Sequence, residues 1–170
     1  IGQNGLKLTG TGSPDSYALA GIGLGGLVPL TPGKTYVISA TGSVRAALSG
    51  TVIVDNRDRR IVIFISSPSV AGGAYQLTRS DPVPNVVESG PLNPANEHRV
   101  SVEFKVPSDA TSVLVRFYMG YSAGAMTWTK IRVSEKSPIP GVDDTTFFTG
   151  SDPDTPGYRY DWTGEIEKSP

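Results

Sequence analysis

Apolar and polar residues alternate with a period of two along much of the chain, which is typical of β-strands with one buried face. Residues 100–106 alternate valine and phenylalanine with serine, glutamate and lysine. After a Pro-Ser-Asp turn, Val113, Val115 and Phe117 share one face of the next predicted strand. Both segments therefore predict strands that lie on a hydrophobic core.

The alternation continues into a last predicted strand over 126–133. It places Met126, Trp128 and Lys130 on one face, and Ile131 on the opposite face. Because a lysine shares the face of Trp128, we expect that face to be partly open to solvent.

One segment lacks the alternation. Residues 61–65 are all apolar, which predicts a central strand with both faces covered. Val52 and Val54 alternate just before a polar turn at 55–58, so the pattern predicts a hairpin with 61–65. Residues 66–97 are rich in proline and glycine, and they predict long loops with one short strand near Leu77.

No helical pattern persists over ten residues, so the sequence predicts an all-β fold. Short strands separated by turn residues, in a chain of this length, favour an antiparallel β-sandwich of about eight or more strands. A segment rich in proline and serine follows Val133. We therefore predict a sandwich over residues 1–134, a linker over 135–145, and a C-terminal aromatic segment over 146–170.

Composition narrows the function classes. The 170 residues suit one domain, and the absence of cysteine excludes disulfides, a thiolate nucleophile and cysteine-ligated zinc. Fifteen basic residues against sixteen acidic ones give no sign of a nucleic-acid partner. No apolar run approaches the roughly 20 residues of a membrane span, so we expect no membrane insertion. No secretory signal is visible, and the chain begins at Ile1, which predicts a processed chain or a fragment.

Two glycine motifs resemble nucleotide sites. Residues 21–26 match GxGxxG, but the residues that follow include Pro29 and Pro32 and cannot start the helix that holds a pyrophosphate. Residues 32–35 end like a phosphate loop, but Val28 stands where that motif needs a glycine. We interpret residues 21–26 as a small-residue strand or a loop that lies close to other backbone, and residues 32–35 as a turn that opens the next strand.

Candidate catalytic and metal-binding groups are sparse. His98 is the single histidine, and no serine in a nucleophile context accompanies it, so we interpret it as a surface residue at a strand end. We expect no enzyme activity and no cofactor. Paired aspartates lie in turn-like segments, where calcium bound by loop oxygens is the alternative left open. These pairs are Asp55/Asp58, Asp143/Asp144 and Asp152/Asp154.

Four aromatic residues are candidates for sugar contacts, since flat rings pack on pyranose faces while polar groups fix orientation. A nearby arginine, Arg79, could supply such a polar group. The alternative interpretation is that these rings pack the sandwich. The predicted carbohydrate-binding set is Trp128, Tyr75, Tyr118, Tyr121 and Arg79.

Three segments resemble the carbohydrate-binding-module-like jelly rolls of the galactose-binding-like superfamily. They are LTPGKTYVISATGSV, EHRVSVEFKVPSDATSVLVRFYMG and GAMTWTKIRVSE, within residues 6–135. That family usually has aspartate after the tryptophan of its final strand, whereas Thr129 follows Trp128 here. The resemblance implies a jelly-roll β-sandwich.

A second resemblance lies in TTFFTGSDPDTPGYRYDWTGEIEKSP, which is similar to the closing segment of minor tail proteins from siphophages that infect actinobacteria. The matching positions are Phe147, Phe148, Gly150, Tyr158, Tyr160, Trp162, Thr163 and Gly164. The segment predicts a short aromatic hairpin that covers an edge of the sandwich. The resemblance implies a protein of the virion tail, outside the cell, that assembles with other phage tail proteins as a homo-oligomer, a trimer being the expected form.

Three functions remain open. The leading hypothesis is a non-enzymatic tail-tip domain that contacts glycan of the host cell envelope. The second is a purely structural tail spacer or trimerisation domain without a sugar site. The third is an accessory carbohydrate-binding module of a glycoside hydrolase. Fold alone does not choose among them.

Overall fold

The computed structural model describes residues 6–26, 28–52, 56–69, 76–88 and 98–136. This part of the chain forms strands joined by turns and contains no helix. The strands are β1 (Leu6–Thr9), β2 (Tyr17–Gly23), β3 (Val28–Pro29), β4 (Thr35–Val52), β5 (Ile61–Ser66), β6 (Gln76–Arg79), β7 (His98–Lys105), β8 (Ser112–Tyr118) and β9 (Tyr121–Glu135).

The strands form two sheets that pack as a sandwich. The four-stranded sheet has the order β1-β9-β4-β7, and the five-stranded sheet has the order β3-β2-β8-β5-β6. The chain crosses repeatedly from one sheet to the other, which is the connectivity of a jelly roll. The predicted all-β jelly-roll sandwich is therefore confirmed. One pairing departs from the antiparallel prediction, because the two-residue strand β3 pairs in parallel with β2.

The core lies between the two sheets and follows the predicted alternation. Val113, Val115 and Phe117 of β8 point inward and are almost fully buried. Strand β5 confirms the prediction of a covered central strand, because it lies between β8 and β6 and all of its apolar residues are buried. Complete burial of one such side chain contributes roughly 1.5–3 kcal/mol, so these strands hold the sandwich together.

The predicted hairpin between residues 52–54 and 61–65 is wrong. Strand β4 pairs with β9 as far as Val52, in the four-stranded sheet. Strand β5 pairs with β6 and β8, in the other sheet. Between β4 and β5 the chain passes from one sheet to the other, since two successive strands need not pair when each has a partner elsewhere.

A β-bulge in strand β9 changes which residues face the core. Between Ser39 and Thr41 of β4 the pairing advances two residues, whereas β9 advances three, from Thr129 to Arg132. Lys130 adopts a φ of 50°, the left-handed conformation that such an extra residue often takes. The alternation predicted for 126–133 therefore fails after Trp128, and Ile131 turns toward the core with Val133.

Residues 21–23 of the first glycine motif belong to strand β2, and each motif includes a turn, as predicted. Residues 24–26 turn the chain between β2 and β3, and Gly25 has a φ of 71°. Gly33 has a φ of 86° in the turn before β4. A left-handed φ at both positions favours glycine, so these glycines serve the backbone.

Several predictions concern residues outside the described part of the chain. Within that part, β9 ends at Glu135, one residue beyond the predicted end of the sandwich. Most of the predicted linker and the whole aromatic segment, with its phage-like residues, lie outside it. The described ranges also include no helix of the length and apolar character that a membrane crossing requires.

Candidate functional site

The outer face of the five-stranded sheet carries a second hydrophobic cluster, separate from the core. Val62, Phe64 and Tyr118 are buried there, and Tyr17 and Leu114 pack against them. Strict alternation places them, since the neighbours of these residues on β5 and β8 point into the core. A sheet face that looks away from the core is usually polar, so an apolar cluster on it needs a cover.

Two arginines provide that cover. The Cζ atom of Arg116 lies 4.2 Å from the ring centroid of Tyr17 and 4.6 Å from that of Phe64. The Cζ atom of Arg57 lies 5.3 Å from the ring centroid of Tyr118 and 5.8 Å from that of Phe64. Guanidinium groups at these distances are attracted to the negative ring faces. We call Tyr17, Arg57, Phe64, Arg116 and Tyr118 the arginine–aromatic cluster.

The hydroxyl of Tyr118 joins the two arginines. Its oxygen accepts hydrogen bonds from Arg57 Nη1 and Arg116 Nη1, each at 3.1 Å. Burial raises the pKa of this phenol above its ordinary value, and the neighbouring arginines offset the rise only in part. The phenol therefore stays protonated at neutral pH, so it brings the two guanidinium groups side by side without neutralising them.

The edge of the cluster adds polar groups that solvent can reach. Asp15 lies 3.9 Å from Arg57 Nη1 and is half exposed. Two further arginines reach Asn56: Arg60 Nη2 donates to its side-chain oxygen at 3.2 Å, and Arg79 Nη1 donates to its carbonyl at 3.4 Å. The rim thus offers guanidinium donors around an aromatic floor, which is a suitable surface for a polar ligand with flat apolar faces.

Four of the five predicted binding residues lie in the described part of the chain, and the structure brings two of them together. Tyr118 lies in the cluster, and Arg79 lies on the same sheet at its rim, because Arg79 pairs with Val62 and Val62 pairs with Arg116. Tyr121 is half-buried against the core. Tyr75 lies outside the described residues.

The expectation that Trp128 lies on a partly open face is wrong. Its side chain is fully buried in the core, and its ring packs edge-on against Phe117 with centroids 5.6 Å apart. The backbone at Gly42 leaves room for it, since a Cβ there would lie 3.0 Å from Trp128 Cζ3 and 2.4 Å from Val83 Cγ2. The lysine that suggested an open face is displaced by the bulge at Lys130.

Sequence reasoning missed Tyr17, Arg57, Phe64 and Arg116. A signal was present in β8, where Arg116 lies between Leu114 and Tyr118 on the face that points away from the core. Arginine between apolar neighbours on an outward face can cover them with its stem and plane. No local signal places Arg57, which reaches the cluster from the loop before β5.

His98 has a partner that the sequence did not reveal. Its Nε2 lies 3.4 Å from Glu88 Oε1, and Ser43 Oγ donates to Glu88 Oε2 at 2.6 Å. The carboxylate therefore lies between the hydroxyl and the imidazole. A histidine base must contact its nucleophile directly, so this order differs from that of a catalytic triad.

Among the residues that the structure describes, no group of three or more acidic or histidine side chains could hold a metal ion together. Asp58 lies 2.9 Å from Arg59 and makes an ion pair with it. Asp55 and the four aspartates of 143–154 lie outside the described part, so the calcium alternative stays a prediction.

No protein-family model matches this chain, and no curated protein sequence matches it. Among solved structures, it is similar to the crystal structure of the N-terminal CBM22-1–GH10 modules of endo-1,4-beta-D-xylanase 10B from Clostridium thermocellum, complexed with xylohexaose. The identity is 13%, the TM-score is 0.44, and the match covers 82% of this chain. It spans only 23% of that xylanase chain. A likeness at this level supplies no argument about the ligand of this chain.

Proposed function

We propose that this chain is a non-catalytic module of a bacteriophage tail tip, and that its arginine–aromatic face contacts glycan of the host cell envelope. The observation that carries the proposal is the cluster itself: rings and guanidinium donors share one outer sheet face, with Arg79 and Asp15 at its rim. Sugars present apolar ring faces edged with hydroxyl groups, and such a surface complements both.

The tail assignment rests on the resemblance of the C-terminal segment to phage minor tail proteins. In that setting the module lies on the virion, outside the cell, and assembles with other tail proteins as a homo-oligomer. We expect it to act without a cofactor and without chemistry of its own. Because Tyr118 is buried, the described groups that a sugar would contact are Tyr17, Leu114 and the guanidinium edges.

A second candidate function is a structural tail spacer or trimerisation domain. The burial that limits access to Tyr118 favours it, since rings already covered by arginines need no ligand to shield them from water. The two candidates differ in one measurable property, which is whether the isolated chain binds glycan.

The test is saturable binding of the fluorescently labelled chain to whole actinobacterial cells, competed with extracted cell-wall polysaccharide. We expect binding that the polysaccharide removes. Tyr17→Ala should weaken binding by about tenfold, the size expected for loss of one aromatic contact. Tyr17→Phe keeps the ring and is the matched control. Absence of binding by a folded chain would overturn the glycan proposal and favour the structural candidate.

A further inference from the structure

Two arginines of the proposed glycan-binding face, Arg116 and Arg60, make no ion pair with a described carboxylate. Arg116 donates from Nη1 to a neutral phenol and otherwise stacks on two rings. It makes no ion pair with a described carboxylate, and its Nη2 makes no hydrogen bond with a described residue. Its Nε is buried and also lacks a hydrogen-bond partner. Ring packing and one hydrogen bond to a phenol therefore hold this guanidinium, and no described carboxylate compensates its charge.

Arg60 repeats the pattern at the rim. Its Nη1 donates to the Ser80 carbonyl at 2.6 Å and its Nη2 donates to the Asn56 side chain. Both acceptors are neutral, so the charge of Arg60 is oriented without being neutralised. Arg79 lies beside it, joined to the same asparagine. The rim thus holds two guanidinium groups close together.

Two lysines beside strand ends of the other sheet are instead paired with carboxylates. Lys34 Nζ lies 2.7 Å from Glu135, and Lys136 Nζ lies 2.6 Å from Glu103. On the arginine–aromatic face, the described carboxylate that approaches the cluster is Asp15, at 3.9 Å from Arg57. Guanidinium groups gathered around one phenol repel each other in the free protein, and an anion between them removes that repulsion.

We infer that this face takes glycans that bear acidic groups, carboxylate or phosphodiester, with Arg116 and Arg60 supplying the countercharge. The inference rests on the proposed function and names the class of glycan. Carboxylate and phosphate each offer two oxygens to the planar fork of a guanidinium, so both fit the same donors. The sugar to which the acid is attached packs on the exposed part of Tyr17.

The experiment measures binding of the full chain to three immobilised polymers of matched length: a polyuronate, a poly(glycerol phosphate) and a neutral glucan. We expect at least one acidic polymer to bind about tenfold more tightly than the glucan, the gain from one charge-assisted contact. The preference should disappear at about 1 M salt, where the Debye length is about 3 Å. Which acidic polymer binds more tightly identifies the acid.

Variants locate the contact. Arg116→Gln should reduce binding to the acidic polymer by about tenfold, whereas Arg116→Lys, which keeps the charge, should retain part of it. Arg79→Gln is an exposed replacement that tests the same surface if Arg116→Gln fails to fold. Lys7→Gln removes one charge from the exposed side of β1 in the other sheet and is the matched control.

The outcomes separate the two proposals. Equal binding to the glucan and to the acidic polymers would overturn the acidic class and leave the glycan proposal standing. The chain could also bind cells in a way that cell-wall polysaccharide removes, yet bind neither acidic polymer. That result too would overturn the acidic class and leave the glycan proposal standing. No binding to cells or to any polymer would overturn both. An equal loss in Lys7→Gln and Arg79→Gln would show that overall charge, and not this face, determines binding.

Discussion

The two hydrophobic clusters of this chain are buried in different ways. In the core, Trp128 is fully buried against Phe117 and the residues of the opposite sheet. In the outer cluster, Tyr118 is as completely buried, but its cover consists of two arginines. An aromatic ring in this chain can therefore be fully buried in two ways. Apolar core residues surround Trp128, whereas charged guanidinium groups at the surface cover Tyr118.

The largest expected effect tests the core. Trp128→Ala removes the side chain and leaves a cavity that the surrounding strands fill only in part. We expect a loss of about 3–5 kcal/mol in the free energy of unfolding. Urea denaturation followed by tyrosine fluorescence or circular dichroism measures it. A loss below about 1 kcal/mol would show that Trp128 is not the core residue that its burial indicates.

A smaller effect is expected in the outer cluster. Tyr118→Phe keeps the ring under its arginines but removes the oxygen that accepts from Arg57 and Arg116. We expect a loss of about 1.5–3 kcal/mol, the usual contribution of a hydrogen bond that involves a charged group. Urea denaturation of this variant and of Trp128→Ala, under the same conditions, compares the two losses in the free energy of unfolding. A loss as large as that of Trp128→Ala would mean that the outer cluster is as essential to the fold as the core.

The smallest effect is expected at Asp109, whose carboxyl is exposed to solvent. A hydrogen bond from Ser67 lowers the pKa of Asp109 below its ordinary value, and bonds from Ser69 add to this. A carboxyl whose folded pKa is lowered contributes stability above its unfolded pKa, and loses it as pH falls through the folded pKa. Ser67→Ala should therefore raise the pKa of Asp109, and the stability difference from the parent chain should shrink on acidification.

Nuclear magnetic resonance of the Asp109 carboxyl carbon measures that pKa directly. Ser108→Ala, in the same exposed turn, is the matched control and should leave the pKa of Asp109 unchanged. A pKa that does not move in Ser67→Ala would show that the hydrogen bond is not formed in solution.

Local patterns predicted much of this fold from the sequence. The alternation in β7 and β8 indicates one buried face, and the unbroken apolar run of β5 indicates two. Such patterns lie within a single strand, so the sequence of that strand is enough to predict them. Pairing is different, because it depends on residues distant in the chain. Val52 and Ile61 are close in sequence and lie in different sheets, and no local signal records that choice.

The candidate site was less predictable for the same reason. Tyr118 and Arg79 were identified by residue type, but the arginines that cover the cluster come from a loop and a neighbouring strand position. Whether a ring is open to a sugar or covered by a guanidinium depends on side-chain directions in three dimensions. Trp128 shows the limit most clearly, because an extra residue beyond it in the strand changed the pattern from which its exposure was inferred.

That extra residue also determines how β9 responds to changes of length. Deletion of Lys130 would remove the bulge and restore unbroken alternation, so Ile131 and Val133 would still face the core. Deletion of Arg132 would instead move Val133 by one place and turn it to solvent. A deep mutational scan should therefore tolerate deletion of Lys130 better than deletion of Arg132. In such a scan, selection acts on the alternation of the strand.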